Sequence, residues 1–241
     1  SRSTYMELLS ARLVAVTQET PTVRRLMLEV QDQGLVYKPG QWVDFYVRID
    51  GIQNVAGFSL TSSPEADSRQ IELAVKLSPH PVTSFLHQHA RVGHVFNISQ
   101  GMGPVFYDRR IGDEVVLIAG GIGITPLMSM FRTVHDHWQE VRATLIYSDN
   151  DPDEFAYGTE IRAACQGSER LKAHFTLTGS HPQVPDWIAH QGRIETAWLR
   201  DLELPELAHY FLCGPQPMLG ALGAELRELD VPRACIHYEE W

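Results

Sequence analysis

Two stretches of this chain carry residue types and spacings suited to an anion-binding loop and a crevice thiol. The first is Leu117-Ile118-Ala119-Gly120-Gly121-Ile122-Gly123-Ile124-Thr125-Pro126. An apolar run ends in glycines, which let a backbone turn tightly and come close to a ligand. Thr125 reads as the cap of a helix and Pro126 as a first-turn residue. The N–H groups and positive dipole end of such a helix form an anion site, and a pyrophosphate is its natural occupant. The spacing differs from G-x-G-x-x-G, and a strand–helix turn without ligand is the alternative. The second stretch, Cys213-Gly214-Pro215-Gln216-Pro217-Met218, repeats the geometry at another strand end. A cysteine at the carboxyl edge of a parallel sheet points into the crevice where such folds bind ligands. A small buried hydrophobe is the alternative for that cysteine.

Composition removes other chemistries. The 241 residues carry a net charge of −10, which disfavours nucleic acid and anionic membranes as partners. Cys165, Cys213 and Cys235 stand singly, with no C-x-x-C pair, so a zinc site, a cysteine-ligated cluster and a disulfide scaffold are not expected. His87 and His89 are two apart on an expected helix and face different ways, so no metal site is expected there. No G-x-S-x-G elbow supports a serine nucleophile. No apolar run approaches a membrane span of about 20 residues. Ser1 to Ser10 has no signal-type apolar core and no initiator Met. A reducing, cytoplasmic location is expected, or the mitochondrial matrix if a targeting segment was removed.

These loops must be held by elements, and the chain changes rhythm along its length. Arg12 to Thr17, Val23 to Val30, Gln41 to Ile49, Ala56 to Ser62, Ile71 to Leu77 and Val95 to Ser99 are short apolar runs separated by turn residues. Six such strands suggest an antiparallel sandwich or barrel, interrupted by one helix over Thr83 to Ala90. Beyond Arg109 to Asp113, strands at Val115 to Ala119, Ala143 to Ser148, Leu171 to Thr178, His209 to Cys213 and Ala234 to His237 alternate with helices. The helices are expected over Thr125 to His135, Gly158 to Cys165, near Glu195 to Leu199, and from Gly214-Pro215 to about Leu229. That alternation implies right-handed βαβ units and a parallel sheet. The expected domains are 1–111 and 112–241.

With both loop motifs in this order behind a β-rich half, the chain resembles the ferredoxin–NADP reductase superfamily, in its flavin reductase and oxidoreductase FAD- and NAD-binding forms. Pro39-Gly40-Gln41, Ala56-Gly57-Phe58-Ser59, Val82-Thr83-Ser84-Phe85-Leu86 and Tyr238-Glu239-Glu240-Trp241 resemble further family segments in register. The resemblance implies an antiparallel six-stranded flavin-binding barrel followed by a parallel-sheet nicotinamide-dinucleotide domain, with FAD and NAD as cofactors. It gives Ser59 a hydrogen bond to flavin N5, stacks Phe58 on the flavin, and adds backbone contacts from Leu60 and Thr61. Val82, Thr83 and the amides around them would hold phosphate. Gly120, Gly121, Gly123, Ile124, Thr125 and Pro126 would hold the dinucleotide, with Gly214, Pro215 and Met218 beside it. Cys213 would lie by nicotinamide C4, Glu239 would orient the ring region, and Trp241 would lie near the isoalloxazine. The catalytic set so implied is Ser59, Cys213 and Glu239. Ordinary readings compete: a strand serine, core aromatics at Phe58 and Trp241, a terminal carboxylate at Glu239, and a helix cap at Thr83.

One position departs from the family. Ala56 stands where the family has an Arg that pairs with the flavin phosphate. A charge-assisted contact of that kind is worth about 1.5–3 kcal/mol, or about ten- to hundredfold in affinity. Arg48, on the preceding strand, is a candidate substitute. Flavin held by other contacts, flavin used as a loose substrate, and a non-catalytic dinucleotide module that has lost flavin are the three outcomes, and the first is favoured. Tyr147-Ser148-Asp149-Asn150-Asp151 and Thr178-Gly179-Ser180-His181 carry no Lys or Arg. Asp149 suits a free ribose hydroxyl and repels a 2′-phosphate, so NADH is expected over NADPH. Electrons must leave to an unidentified acceptor: free flavin, a small molecule or a redox protein. Arg24, Arg25, Arg109 and Arg110 either form a basic patch for an acidic carrier or lie on a solvated strand edge.

Overall fold

The computed structural model describes residues 7–239, and Trp241 lies outside them. The chain divides into two compact units, the first ending at Tyr107 and the second beginning at Asp108. In the first unit, β1 (Leu9–Gln18), β2 (Val23–Val30), β3 (Trp42–Ile49), β4 (Ile52–Ser59), β5 (Gln70–Lys76) and β6 (Val95–Ile98) form one antiparallel sheet. The helix α1 (Pro81–Gln88) lies between β5 and β6 in the chain. The sheet order is β4-β3-β6-β1-β2-β5. A bridge between Leu60 and Leu73 joins its first and last strands and curls it into a barrel. Alternating burial along β3 sends Val43, Phe45 and Val47 into the core with Leu26, Leu28, Leu73 and Ile98.

The second unit is a parallel sheet. Its strands are β7 (Glu114–Gly120), β8 (Arg142–Asp149), β9 (Leu171–Leu177), β10 (His190–Gln191), β11 (His209–Cys213) and β12 (Ile236–His237), in the order β10-β9-β8-β7-β11-β12. The helices are α2 (Ile124–Asp136), α3 (Gly158–Cys165), α4 (Thr196–Asp201) and α5 (Gln216–Glu228). Val115 to Ala119 are all fully buried, as expected of a central strand covered on both faces. On one face Val116, Ile118, Tyr210 and Leu212 pack with Leu219, Leu222 and Leu226 of α5. The other central helix, α2, lies against β7, β8 and β11.

Several boundaries differ from the sequence reading. β4 begins at Ile52 rather than Ala56, because Asp50 and Gly51 form a tight turn that folds the strand straight back on β3. The helix expected from Thr83 starts at Pro81, where a fixed φ suits the first position. The strand expected over Ala234 to His237 is half a short 3-10 turn, and only Ile236 and His237 pair with β11. The two-residue β10 had no apolar run to announce it.

Candidate functional site

In the second unit the chain leaves β7 for β8 on one side, while β11 lies on the other. The crevice outside the carboxyl ends of β7 and β11 is therefore the topological switch point, where open α/β sheets bind ligands. Both motif loops open there. Ala119 and Cys213 face each other in register, and the chains then turn through Gly120–Gly123 and Gly214–Pro215.

The glycines divide into two kinds. A Cβ on Gly123 would collide with the carbonyl of Cys213, and would lie 2.8 Å from the amide nitrogen of Gly214. A Cβ on Gly120 would lie 2.5 Å from the Met218 sulfur, and one on Gly214 would strike the Met218 methyl. Gly120, Gly123, Gly214 and Met218 thus lock the two loops together. Gly121 differs: its φ is +56°, and the nearest atom to a Cβ there is an Asp149 carboxylate oxygen at 3.9 Å. That side of the loop is open toward Asp149.

The helix begins one residue earlier than expected. Gly123 is the N-cap of α2 with no side-chain cap, Ile124 is its first residue, and Thr125 and Pro126 lie in the first turn. Thr125 is not the cap; its hydroxyl donates to the Ile122 carbonyl at 3.0 Å and braces the 3-10 turn Gly121–Gly123. A thirteen-residue helix thus presents an N-terminus that no side chain caps, which fits an anion. The Asp149 carboxylate accepts from the amides of Asn150 at 2.7 Å and Asp151 at 3.1 Å, and these bonds set its direction. Pro215 is the N-cap of α5, and Cys213 is half-buried at the end of β11.

In the first unit the expected ring-facing segment ends β4. Phe58 is half-buried and meets Phe45 edge-on, with centroids 6.0 Å apart. The Ser59 hydroxyl is half-buried and has no hydrogen-bond partner among the described residues. Leu60 and Thr61 donate their N–H groups to the carbonyls of Gln41 and Glu72, so those amides are committed to the sheet. Behind Thr61 lies a network that the sequence reading missed. The Thr61 hydroxyl donates to Glu72 at 2.8 Å, and Arg25 binds the other oxygen of that carboxylate at 2.9 Å and also Glu19 at 3.3 Å. Glu72 is almost fully buried, between Ile71 and Leu73 of β5.

At the other expected phosphate contact, His80 is the N-cap of α1 and its Nδ1 accepts from the Val82 amide at 3.2 Å. Its place just before Pro81 was the sequence signal for that role. The Thr83 hydroxyl donates to the His80 carbonyl at 3.1 Å and pairs with Ser78 at 2.7 Å. The Thr83 amide has no partner among the described residues, so it is the donor left for an anion. These unpartnered groups, Ser59 and Thr83, fit a ligand with ring acceptors and phosphate.

Ala56 is half-buried on the same face of β4 as Phe58 and packs against the core. Arg48 does not substitute for the missing charge. Ala56 pairs with Phe45 and Arg48 with Gln53, so strand alternation puts them on opposite faces, and Arg48 bonds the Gly51 carbonyl instead. The four arginines considered for a basic patch are also committed. Arg24 caps α1 through the Leu86 and His87 carbonyls, both at 2.8 Å. Arg109 pairs with Asp113 and Glu140, and Arg110 with Asp108. Arg24 and Arg25 are on no sheet edge, since β2 lies between β1 and β5. Burial pushes the Cys165 thiol up to about 11, which keeps it protonated and inert. Glu239 is half-buried. Among the described residues no three His, Cys, Asp or Glu gather as metal ligands, and no helix is long and apolar enough to cross a membrane.

Comparison with known proteins agrees with this division. Residues 10–107 match the oxidoreductase FAD-binding domain family, and residues 117–223 match the oxidoreductase NAD-binding domain family. An "oxidoreductase NAD-binding domain-containing protein 1" from Danio rerio is 34% identical over 254 residues, covering 98% of this chain and 93% of that protein. A flavohemoprotein from Halalkalibacterium halodurans is 28% identical over 235 residues, covering 92% of this chain and 57% of that protein. Among solved structures, the flavohem-like FAD/NAD-binding domain of nitric oxide dioxygenase from Vibrio cholerae superposes with a TM-score of 0.84 at 24% identity, covering 97% of this chain and 98% of that one.

Proposed function

The chain belongs to the oxidoreductases that join an FAD-binding domain to an NAD-binding domain, in the ferredoxin–NADP reductase family, and from that membership we propose that it is an NADH-dependent flavin oxidoreductase that passes electrons to an external acceptor. The flavin domain ends at Tyr107 and the nicotinamide domain begins at Asp108, four residues before the boundary read from the sequence. When bound, the dinucleotide supplies a hydride and the flavin accepts it and hands the electrons on; the protein's part is binding and orientation.

The observation that carries the reading is the open side of Gly121 at the uncapped start of α2, facing Asp149. The Gly121–Gly123 turn and the positive end of α2 would hold a pyrophosphate, and Asp149 would accept a hydrogen bond from a ribose hydroxyl and repel a 2′-phosphate. Cys213, at the end of β11, would border the nicotinamide ring, and Glu239 would orient that region. Ser59 would donate to flavin N5, Phe58 would pack on the ring, and the Thr83 amide would bind phosphate. The Thr61–Glu72–Arg25 network keeps the end of β4 rigid beneath them. The acceptor is a diffusible flavin, a small molecule or a redox protein.

Anaerobic mixing of the purified protein with NADH tests this. The expected result is a yellow protein that releases FAD on denaturation and bleaches with NADH, with kcat/KM for NADPH lower by at least about tenfold, which is about 1.4 kcal/mol. Colourless protein that oxidises NADH only with added flavin would make flavin a substrate, one of the two outcomes that Ala56 keeps open. Protein inert under both conditions would refute hydride transfer.

A further inference from the structure

A second cleft lies at the opposite end of the parallel sheet, by the amino ends of β7 and β11, with Glu114 and His209 in its walls. It is a groove of about 600 Å³. Leu204, Tyr210, Leu229 and Val231 make an apolar floor. At its margin Leu207 is 80% exposed and Ile111 40% exposed. Apolar side chains left in water around an apolar depression mark a contact surface.

The margin is acidic. Five carboxylates line the groove against one guanidinium, that of Arg200. Two are already paired, Asp113 with Arg109 and Glu114 with Arg142. Glu203, Glu206 and Asp230 have no ion-pair partner among the described residues. Glu203 and Asp230 also occupy equivalent places. Each follows the C-cap of a helix, α4 and α5, with φ of 52° and 60°. Glycine is the usual residue there, because a Cβ is strained in the left-handed region. A carboxylate also meets the negative end of the helix dipole. Each side chain therefore opposes folding in two ways, and both border one groove. Asp32 and Asp50 are also left-handed, and Glu203 and Asp230 are set apart from them by sharing one groove.

We propose that this groove docks a segment of a partner protein in which an apolar side chain is flanked by lysine or arginine. The apolar side chain lies between Leu204, Leu207 and Leu229, and the cationic groups meet Glu203, Glu206 and Asp230. A second copy of this chain is disfavoured, because the net charge of −10 repels an acidic groove. An apolar floor gives nothing to a bare metal ion or a free polyamine.

Calorimetric titration of the full chain with capped tetrapeptides tests the proposal. Lys-Leu-Phe-Lys is expected to bind saturably and more weakly as salt rises, and Glu-Leu-Phe-Glu and Lys-Ser-Ser-Lys are expected not to bind. The decisive variant carries Glu203→Gly and Asp230→Gly together. Glycine relieves both backbone positions, so its Tm is expected to rise while it binds the lysine–leucine peptide about tenfold more weakly. Leu207→Ser is expected to weaken binding about fivefold by removing apolar contact. Absence of binding, equal binding of the three peptides, or undiminished binding to the glycine variant overturns the proposal. A fall in the Tm of that variant removes the stability argument and overturns it too. Octylammonium binding as tightly as the peptide would replace the protein segment with a small amine.

Discussion

Two glycines two positions apart make different demands. Gly123 touches backbone of the neighbouring loop, which cannot move aside without shifting β11. Gly123→Ala is expected to cost about 3 kcal/mol of unfolding free energy, the upper end for overpacking a dense site. Gly121 has room for a methyl group but a left-handed φ, so Gly121→Ala is expected to cost only about 1–2 kcal/mol. Urea unfolding distinguishes them, and equal costs would mean that the loops do not interlock. Ala56→Arg restores a charge to the face of β4 that carries Phe58. It is expected to tighten FAD binding by about tenfold in fluorescence titration, as a charge-assisted phosphate contact should. Unchanged affinity would show that the Thr83 amide and its neighbours suffice. The motif glycines were legible as types, since their spacing and order are sequence properties. Their split into locking and ligand-facing members was not, because it depends on Met218 and the Cys213 carbonyl, which approach from another strand.

Most strands were legible as apolar runs, and the ends failed where a local bond outweighed the run. The tight Asp50–Gly51 turn extends β4 back to Ile52, and His80 starts α1 ahead of Thr83. Nothing in the run Ile71 to Leu77 announced that Glu72 would be buried, since its partners Arg25 and Thr61 lie on other segments of the chain. Three strands of the parallel sheet carry histidines whose protonation the fold resists. Burial, helped by Lys172, pulls His174 down; burial also lowers His190; and burial with the facing His209 lowers His237. His209 and His237 are 2.8 Å apart, so charging both puts like charges in contact. A depressed folded value means that the unfolded chain takes up protons first as pH falls. The stability from these groups is present above their ordinary value of about 6.5 and is lost as pH drops below it. The Tm is therefore expected to decline from about pH 7 to pH 5, and His237→Asn to flatten that decline. An unchanged slope in the variant would clear His237.

At the scale of the whole chain, the switch from antiparallel to parallel rhythm was legible because the two periods differ, and each unit carries a core of its own. Fragment 112–241 is expected to melt cooperatively by circular dichroism and to bind NADH in calorimetry without the rest of the chain. A fragment that neither melts as a unit nor binds would show that this half is not autonomous. The net charge was equally legible, but the meeting of Glu203, Glu206 and Asp230 at one groove was not, since residues 203–206 and 230 come together only after folding. The mutual fit of Gly120, Gly123, Gly214 and Met218 has a practical corollary. Anyone transplanting this crevice into another scaffold, or retuning it for a phosphorylated coenzyme, must move both turns as one cassette and edit only the Asp149 bend beside them.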